Sequence, residues 1–239
     1  MSLQYNEIGG HYNTLKKLPL GIVQTASTLA HIGNIQGQDV LDLACGAGFY
    51  SRKAVERGAR RVVGLDISSA MVEAARRELG DDPRVEFRVA DCCKPLDDVG
   101  TFDIVFAMWF LNYAANSEEQ LAMWQNIFAH VKPGGRCIGI TSSFDGLNQS
   151  YPKSQFGSRI EVIGHVPEGI LRRYTKDTDP PISFESYLLR RDVYESCAQK
   201  AGFVDLQWLD PVDPRDPQID FNAIPRRMLA QVFEARRAV

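Results

Sequence analysis

From Gln38 to Thr141 the chain alternates apolar, β-rich runs with segments of helical period, and this alternation restricts it to βαβ units around a parallel sheet. The runs predict strands over 39–44, 61–66, 85–90, 102–109 and 136–141. Between them, Tyr50 to Arg57 reads as a helix closed by Gly58, and Met71, Ala74, Ala75 and Leu79 mark one face of another. A third helix is predicted from Ser117, which forms a capping box with Gln120, through Leu121, Trp124, Phe128 and Val131. Lys132-Pro133-Gly134-Gly135 is expected to stop it. Beyond the fifth strand, Phe144 to Pro181 shows no clear period and is too long for an idle connection, which suits a lid or substrate wall. Ile182–Leu189 and Phe203–Leu209 then read as the last strands of the same sheet, one of them antiparallel at its edge. The first 36 residues read as mainly helical, and Pro225 to Ala235 as a final amphipathic helix with Pro225 in its first turn.

Composition narrows the class of partner. With 27 Lys and Arg against 30 Asp and Glu, the net charge is −3, which disfavours nucleic acid. The longest apolar run, Ile104 to Leu111, falls well short of the roughly 18–20 residues that span a bilayer. The start, Met1-Ser2-Leu3-Gln4-Tyr5, has no basic region ahead of an apolar core and does not read as a secretory signal. Five cysteines at irregular spacing give neither a disulfide framework nor a zinc site. His11, His31 and His130 fit no metal spacing either. The expectation is a reduced, cytoplasmic chain without a metal, a monomer or homodimer acting on a small molecule.

The chemistry concentrates at strand ends. In Val40-Leu41-Asp42-Leu43-Ala44-Cys45-Gly46-Ala47-Gly48-Phe49 an apolar strand runs through a small-residue turn into a helix. Gly46 and Gly48 let the backbone turn tightly and approach a ligand, and the following helix offers free N–H groups. Alone, this describes a nucleotide-type pocket or a turn packed for its own sake. Asp66 ends the second strand, 18 residues after Gly48, where a carboxylate accepts both hydroxyls of a ribose or caps the next helix. Asp91 ends the third strand, placed to take an exocyclic amine. Gly46, Gly48 and Ser51 also approximate a dinucleotide fingerprint, but its third position is Ser and about 37 residues precede the first strand. A nicotinamide-dependent oxidoreductase and a non-catalytic cofactor-binding protein are therefore the rival classes.

In the order and spacing of these segments, residues 36–141 resemble the class I S-adenosylmethionine-dependent methyltransferases. The resemblance implies a Rossmann-like, seven-stranded, mostly parallel sheet with its last strand antiparallel and helices on both faces. It divides a single domain into an N-terminal helical cap (1–36), a cofactor core (37–141) and an acceptor side (142–239). It implies S-adenosylmethionine as cofactor and S-adenosylhomocysteine as product, with Asp42, Ala44, Gly46 and Gly48 at the methionine end, Asp66 at ribose, and Asp91 with Cys92 at adenine. Ile67, Met71 and Met108 complete that cofactor set. Ala44 stands where the family has its first glycine, which narrows the turn.

A finer resemblance joins Tyr5-Asn6-Glu7-Ile8-Gly9-Gly10 with Tyr12, the run Phe106 to Ala114, and Ser183-Phe184 to the azapteridine N-methyltransferases of toxoflavin biosynthesis and related natural-product enzymes. It implies an N-terminal segment closing over the cofactor, with Tyr5 and Tyr12 touching cofactor or substrate. Methyl transfer from a sulfonium mainly requires the acceptor to be held in line, so a base matters only if the acceptor must lose a proton. His165, in the long insert, is the first candidate base, and Tyr12 a second catalytic candidate. Trp109, Asn112 and Tyr113 lie at the end of the fourth strand, where open sheets place ligands. Together with Tyr174, Glu185 and Tyr187 they are the candidate substrate contacts. Aromatic walls with one amide suit a flat heteroaromatic acceptor, methylated on nitrogen or carbon, indole C3 being one carbon example. Strand four ends in Met108-Trp109-Phe110-Leu111 rather than an Asn/Asp-Pro-Pro-aromatic tetrad, which further disfavours nucleic acid. The arginine pairs, Arg172-Arg173 among them, suit a solvated face, or in one case a substrate carboxylate.

Overall fold

The computed structural model describes residues 3–239; Met1 and Ser2 of the expected N-terminal cap lie outside the described residues. Helix α1 (Leu3–Ile8), a 3₁₀ segment (Gly9–Lys17) and α2 (Pro19–Ile32) precede the sheet. The alternation then unfolds as β1 (Asp39–Leu43), α3 (Phe49–Glu56), β2 (Arg61–Asp66), α4 (Ser69–Leu79), β3 (Val85–Val89), β4 (Phe102–Met108), α5 (Ser117–His130) and β5 (Val131–Ser142). The chain continues as β6 (Tyr151–Gln155), β7 (Ser158–Val166), β8 (Gly169–Lys176), β9 (Ile182–Leu189), α6 (Arg191–Ala201), β10 (Asp205–Leu209) and β11 (Ala230–Arg236).

Seven strands form the main sheet in the order β10-β11-β5-β4-β1-β2-β3, and β11 alone runs antiparallel to its neighbours. Burial on both faces explains the near-continuous apolar runs of the central strands. Leu41, Leu43, Val63, Leu65, Val105 and Ala107 join Trp124 of α5 and Tyr194 of α6 in one core. Their alternates Val40, Val62, Ile104 and Phe106 pack with Ile32 of α2 and with Tyr50 and Ala54 of α3. Chain direction across the sheet reverses between β1 and β4, so a crevice opens at the carboxyl ends of these two strands.

The carboxyl-terminal third departs from expectation. Ile182–Leu189 does not extend the main sheet, because β6, β7, β8 and β9 form a second, wholly antiparallel sheet from the stretch expected to be an aperiodic insert. Pro225–Ala235 is not a helix. A short 3₁₀ turn follows Pro225, and β11 then inserts between β5 and β10, with Val232 and Phe233 buried on opposite sides. The cap of α5 is also shifted by one residue: Asn116 Oδ1 accepts from the Glu119 N–H at 2.9 Å, and Glu119 Oε2 accepts from the Ala115 N–H at 2.8 Å. The helix itself ends at His130, just before Lys132-Pro133-Gly134-Gly135, and β5 begins at Val131 and takes that segment in. Among the described residues no helix is long and apolar enough to cross a membrane.

Candidate active site

The crevice holds a cavity of about 160 Å³ built around the turn that leaves β1. Ala44 (φ +54°), Gly46 (φ +54°) and Gly48 (φ +77°) carry the backbone through the left-handed region into α3. Gly48 is required by packing, since a Cβ there would lie 2.9 Å from Ala75 Cβ and 3.2 Å from the Phe87 ring. At Gly46 the same atom would meet nothing within 4 Å, so bare backbone faces the cavity. Ala44 adopts this conformation without being glycine, a local strain of the kind that gathers at functional sites.

Two carboxylates stand in this wall. Asp42 is buried and accepts from Ser51 Oγ at 2.6 Å. Dehydration pushes its pKa up to about 7, the Ser51 bond opposing and nearby Asp66 adding to the rise. Asp66 ends β2 and accepts from the Gly46 N–H at 2.8 Å and the Ser68 N–H at 2.9 Å. Burial raises its pKa too, against those two bonds. The cap of α4 is Ser68, whose Oγ accepts from the Met71 N–H at 3.2 Å, so capping does not account for Asp66. Each carboxylate oxygen keeps further acceptor capacity.

Tyr5, Tyr12, Asp42, Ala44, Gly46, Asp66, Ile67, Met71, Asp91, Cys92, Met108, Trp109 and Tyr113 all line this larger cavity, and Gly48 lies behind it. Ile67 remains 44% exposed, an unusual position for an isoleucine unless something covers it. Burial pushes the Cys92 thiol up, which leaves it a small neutral wall. Asn13, Lys16, Phe49, Tyr50 and Phe110 also line the cavity. Phe49 and Tyr50 had a legible signal, since they follow Gly48 directly; Asn13 and Lys16 had none, because only the fold brings their segment here.

A smaller cavity of about 60 Å³ adjoins the first and shares Tyr12, Lys16, Trp109 and Tyr113 with it. Its far wall is the inward face of the second sheet, where Ile160 of β7, Arg172, Tyr174 and Lys176 of β8, and Phe184 and Ser186 of β9 line it. Tyr174, a candidate substrate contact, faces this cavity, stacked on Phe184 with centroids 5.5 Å apart. Glu185 and Tyr187 share a face, but it is the outer one: Glu185 ion-pairs with Arg173 at 2.8 Å, and neither residue lines either cavity. Tyr187 contributes through its backbone, accepting from Asn112 Nδ2 at 3.2 Å, while Asn112 Oδ1 is buried with no partner among the described residues. His165 sits near the exposed end of the β7–β8 hairpin, opposite Ile170, and lines neither cavity.

Three tyrosines close the junction. Tyr5 and Tyr113 share a hydroxyl–hydroxyl hydrogen bond, and Tyr5 packs edge-on against Tyr12 at 5.8 Å. Dehydration, foremost, pushes all three phenols above their usual range, so they remain protonated. These three act as walls and hydrogen-bonding groups.

Comparison with known proteins agrees with this geometry. Residues 40–135 match the family model described as a methyltransferase domain. The chain is 31% identical over 190 residues to a demethylmenaquinone methyltransferase of Lactococcus lactis subsp. lactis (strain IL1403), covering 77% of this chain and 72% of that protein. In fold it is similar to an S-adenosylmethionine-dependent methyltransferase from Mesorhizobium loti (TM-score 0.64, 20% identity, 90% of this chain and 98% of that one). It is also similar to CalS10, an amino pentose methyltransferase from Micromonospora echinaspora solved with S-adenosylmethionine bound (TM-score 0.60, 19% identity, 91% and 90%). The residues present fit that cofactor: two dehydrated carboxylates suit its cationic groups and ribose, the open space at Gly46 admits it against backbone, and Ile67 offers an uncovered apolar edge.

Proposed function

Since the chain belongs to the class I S-adenosylmethionine-dependent methyltransferases, we propose that it methylates a nitrogen or carbon of a small heteroaromatic metabolite in secondary metabolism. The observation that carries this reading is the smaller cavity, which adjoins the cofactor cleft through Tyr12, Trp109 and Tyr113 and is walled on its far side by Tyr174 and Phe184. Flat rings are held by such walls at low entropic cost. S-Adenosylmethionine supplies a methyl group on a sulfonium and leaves S-adenosylhomocysteine. The chain's task is then to hold two molecules in line and exclude water. Asp42 and the bare backbone at Gly46 hold the methionine end, Asp66 takes ribose hydroxyls, and Asp91, Cys92 and Ile67 frame adenine. Met71 and Met108 complete the cleft, and Tyr5 and Tyr12 of the N-terminal cap (1–36) close the core (37–141) against the acceptor side (142–239). Asn112 offers its unpartnered Oδ1 to a ring N–H of the acceptor. Because Tyr12 and Tyr113 stay protonated, the acceptor attacks with its own lone pair or ring electrons, and Tyr12 orients it.

Calorimetric titration with S-adenosylhomocysteine, beside NAD and NADP, tests the cofactor half of this reading. Micromolar binding of S-adenosylhomocysteine alone is expected. A screen of heteroaromatic acceptors for S-adenosylhomocysteine release tests the other half, and turnover confined to aliphatic amines would overturn it.

A further inference from the structure

The two adjoining cavities carry opposite charge. The cofactor cleft holds carboxylates, whereas no Asp or Glu lines the smaller cavity among the described residues. On β8, Arg172, Tyr174 and Lys176 alternate onto the cavity face, about 6.6–6.8 Å apart per step of two. Arg172 is only 2% exposed. It donates from Nη2 to the carbonyls of Gly146 and Leu147, its Nε is buried without a partner, and no carboxylate among the described residues pairs with it. Arg173, the next residue, faces outward and is paired with Glu185. Lys176 Nζ donates to Ser158 Oγ at 2.9 Å and lies 5.5 Å from the Tyr174 ring centroid, again without a carboxylate partner among the described residues. The adjacent Asp177 is turned to Ser154 and Arg159. Dehydration and the charge of Lys16 pull the Lys176 pKa down to about 8, against the pull of Asp177.

A buried cation such as Arg172, or a half-buried one such as Lys176, is costly without a counter-ion, and proteins keep such groups where a ligand supplies the missing charge. We propose that the smaller cavity recognises an acceptor bearing an anionic oxygen group, a carboxylate or a phosphate, held by Arg172 and Lys176 on the inward face of β8. This inference rests on the cavity being the acceptor site. The stacked Tyr174 and Phe184 rings beside these cations then take the aromatic body of the same molecule.

The test is calorimetry on the full chain saturated with S-adenosylhomocysteine, using benzoate, phenyl phosphate and the neutral benzamide as probes. At least one anion is expected to bind at millimolar concentration and about tenfold more tightly than benzamide. Lys176→Met is expected to abolish that preference while S-adenosylhomocysteine affinity stays within about twofold. Tighter binding of phenyl phosphate assigns the group as phosphate, and tighter binding of benzoate as carboxylate. Equal binding of all three probes, no binding of either anion, or an unaltered preference in Lys176→Met overturns the proposal. Arg172→Gln, if it folds, must give the same loss. Intact S-adenosylhomocysteine binding without anion preference removes this inference alone, whereas loss of S-adenosylhomocysteine binding by the parent chain removes the reading beneath it.

Discussion

At the scale of single residues, Asp66 and Asp42 differ in how they are held, and the difference predicts different experiments. Asp66 is oriented by two backbone N–H groups, from Gly46 and Ser68, which leave its remaining lone pairs directed by the turn. Asp66→Ala should weaken S-adenosylhomocysteine binding by about 1.5–3 kcal/mol, the worth of hydrogen bonds to a charged group. Unchanged affinity would show that the carboxylate serves only the turn. Asp42 accepts from the Ser51 hydroxyl and has a pKa raised to about 7 by burial. An acid bound more tightly to its proton when folded contributes stability that is complete below its unfolded pKa of 3.8 and is lost as pH rises through about 7. In ligand-free protein, Asp42→Asn should therefore gain thermal stability over the parent as pH rises from about 5 to about 8. A melting-temperature gap independent of pH would contradict this.

At the scale of elements, the N-terminal segment is tied to both the core and the second sheet. Gln4 bonds the Glu185 backbone in both directions, Nε2 to its carbonyl at 3.2 Å and Oε1 from its N–H at 3.0 Å, which satisfies one residue on the open edge of β9. Asn6 Oδ1 accepts from Ser68 Oγ at 2.6 Å beside the cofactor cleft, and Tyr5, Ile8 and Tyr12 pack on Met71 and Ala74. Bound S-adenosylhomocysteine should therefore slow amide hydrogen exchange over residues 3–17, whose open state must release these contacts. Exchange there that ignores the ligand would make the segment ordinary packing. The two faces of β9 also differ: Phe184 and Ser186 look into the smaller cavity, and Glu185 and Tyr187 away from it.

For the whole molecule, two sheets divide the work. The main sheet carries the larger cavity at its switch point, and the antiparallel sheet walls the smaller one, proposed above to take the acceptor. Substitutions should separate accordingly. Phe184→Ala is expected to leave S-adenosylhomocysteine affinity within about twofold while weakening probe binding in the smaller cavity, and Ile67→Ala to do the reverse, because neither side chain lines the other's cavity. Equal losses in both titrations for either variant would show one coupled site.

Much of this was legible in the sequence because it is local. Burial on both sheet faces writes unbroken apolar runs, the sharp turn after β1 demands small residues at Gly46 and Gly48, and the carboxyl ends of β2 and β3 display the acids Asp66 and Asp91. The second sheet was hidden, since its inward face intersperses Ser158, Arg172, Lys176 and Ser186 among Ile160, Tyr174 and Phe184. A register shift between Val162 and Gly164 breaks the alternation further. Without that sheet, period two could pair Glu185 with Tyr187 but not say which face met the cavity, and His165 had no visible reason to lie outside it. The final strand was equally ambiguous, because a short apolar run buried on both sides reads alike as helix or strand until β5 and β10 flank it. Sequence alone determined the nucleotide-type turn and the parallel core, whose signals lie within a few residues of one another. Tertiary structure decided which faces meet and where buried charge goes unpaired, because those depend on strands distant in the chain.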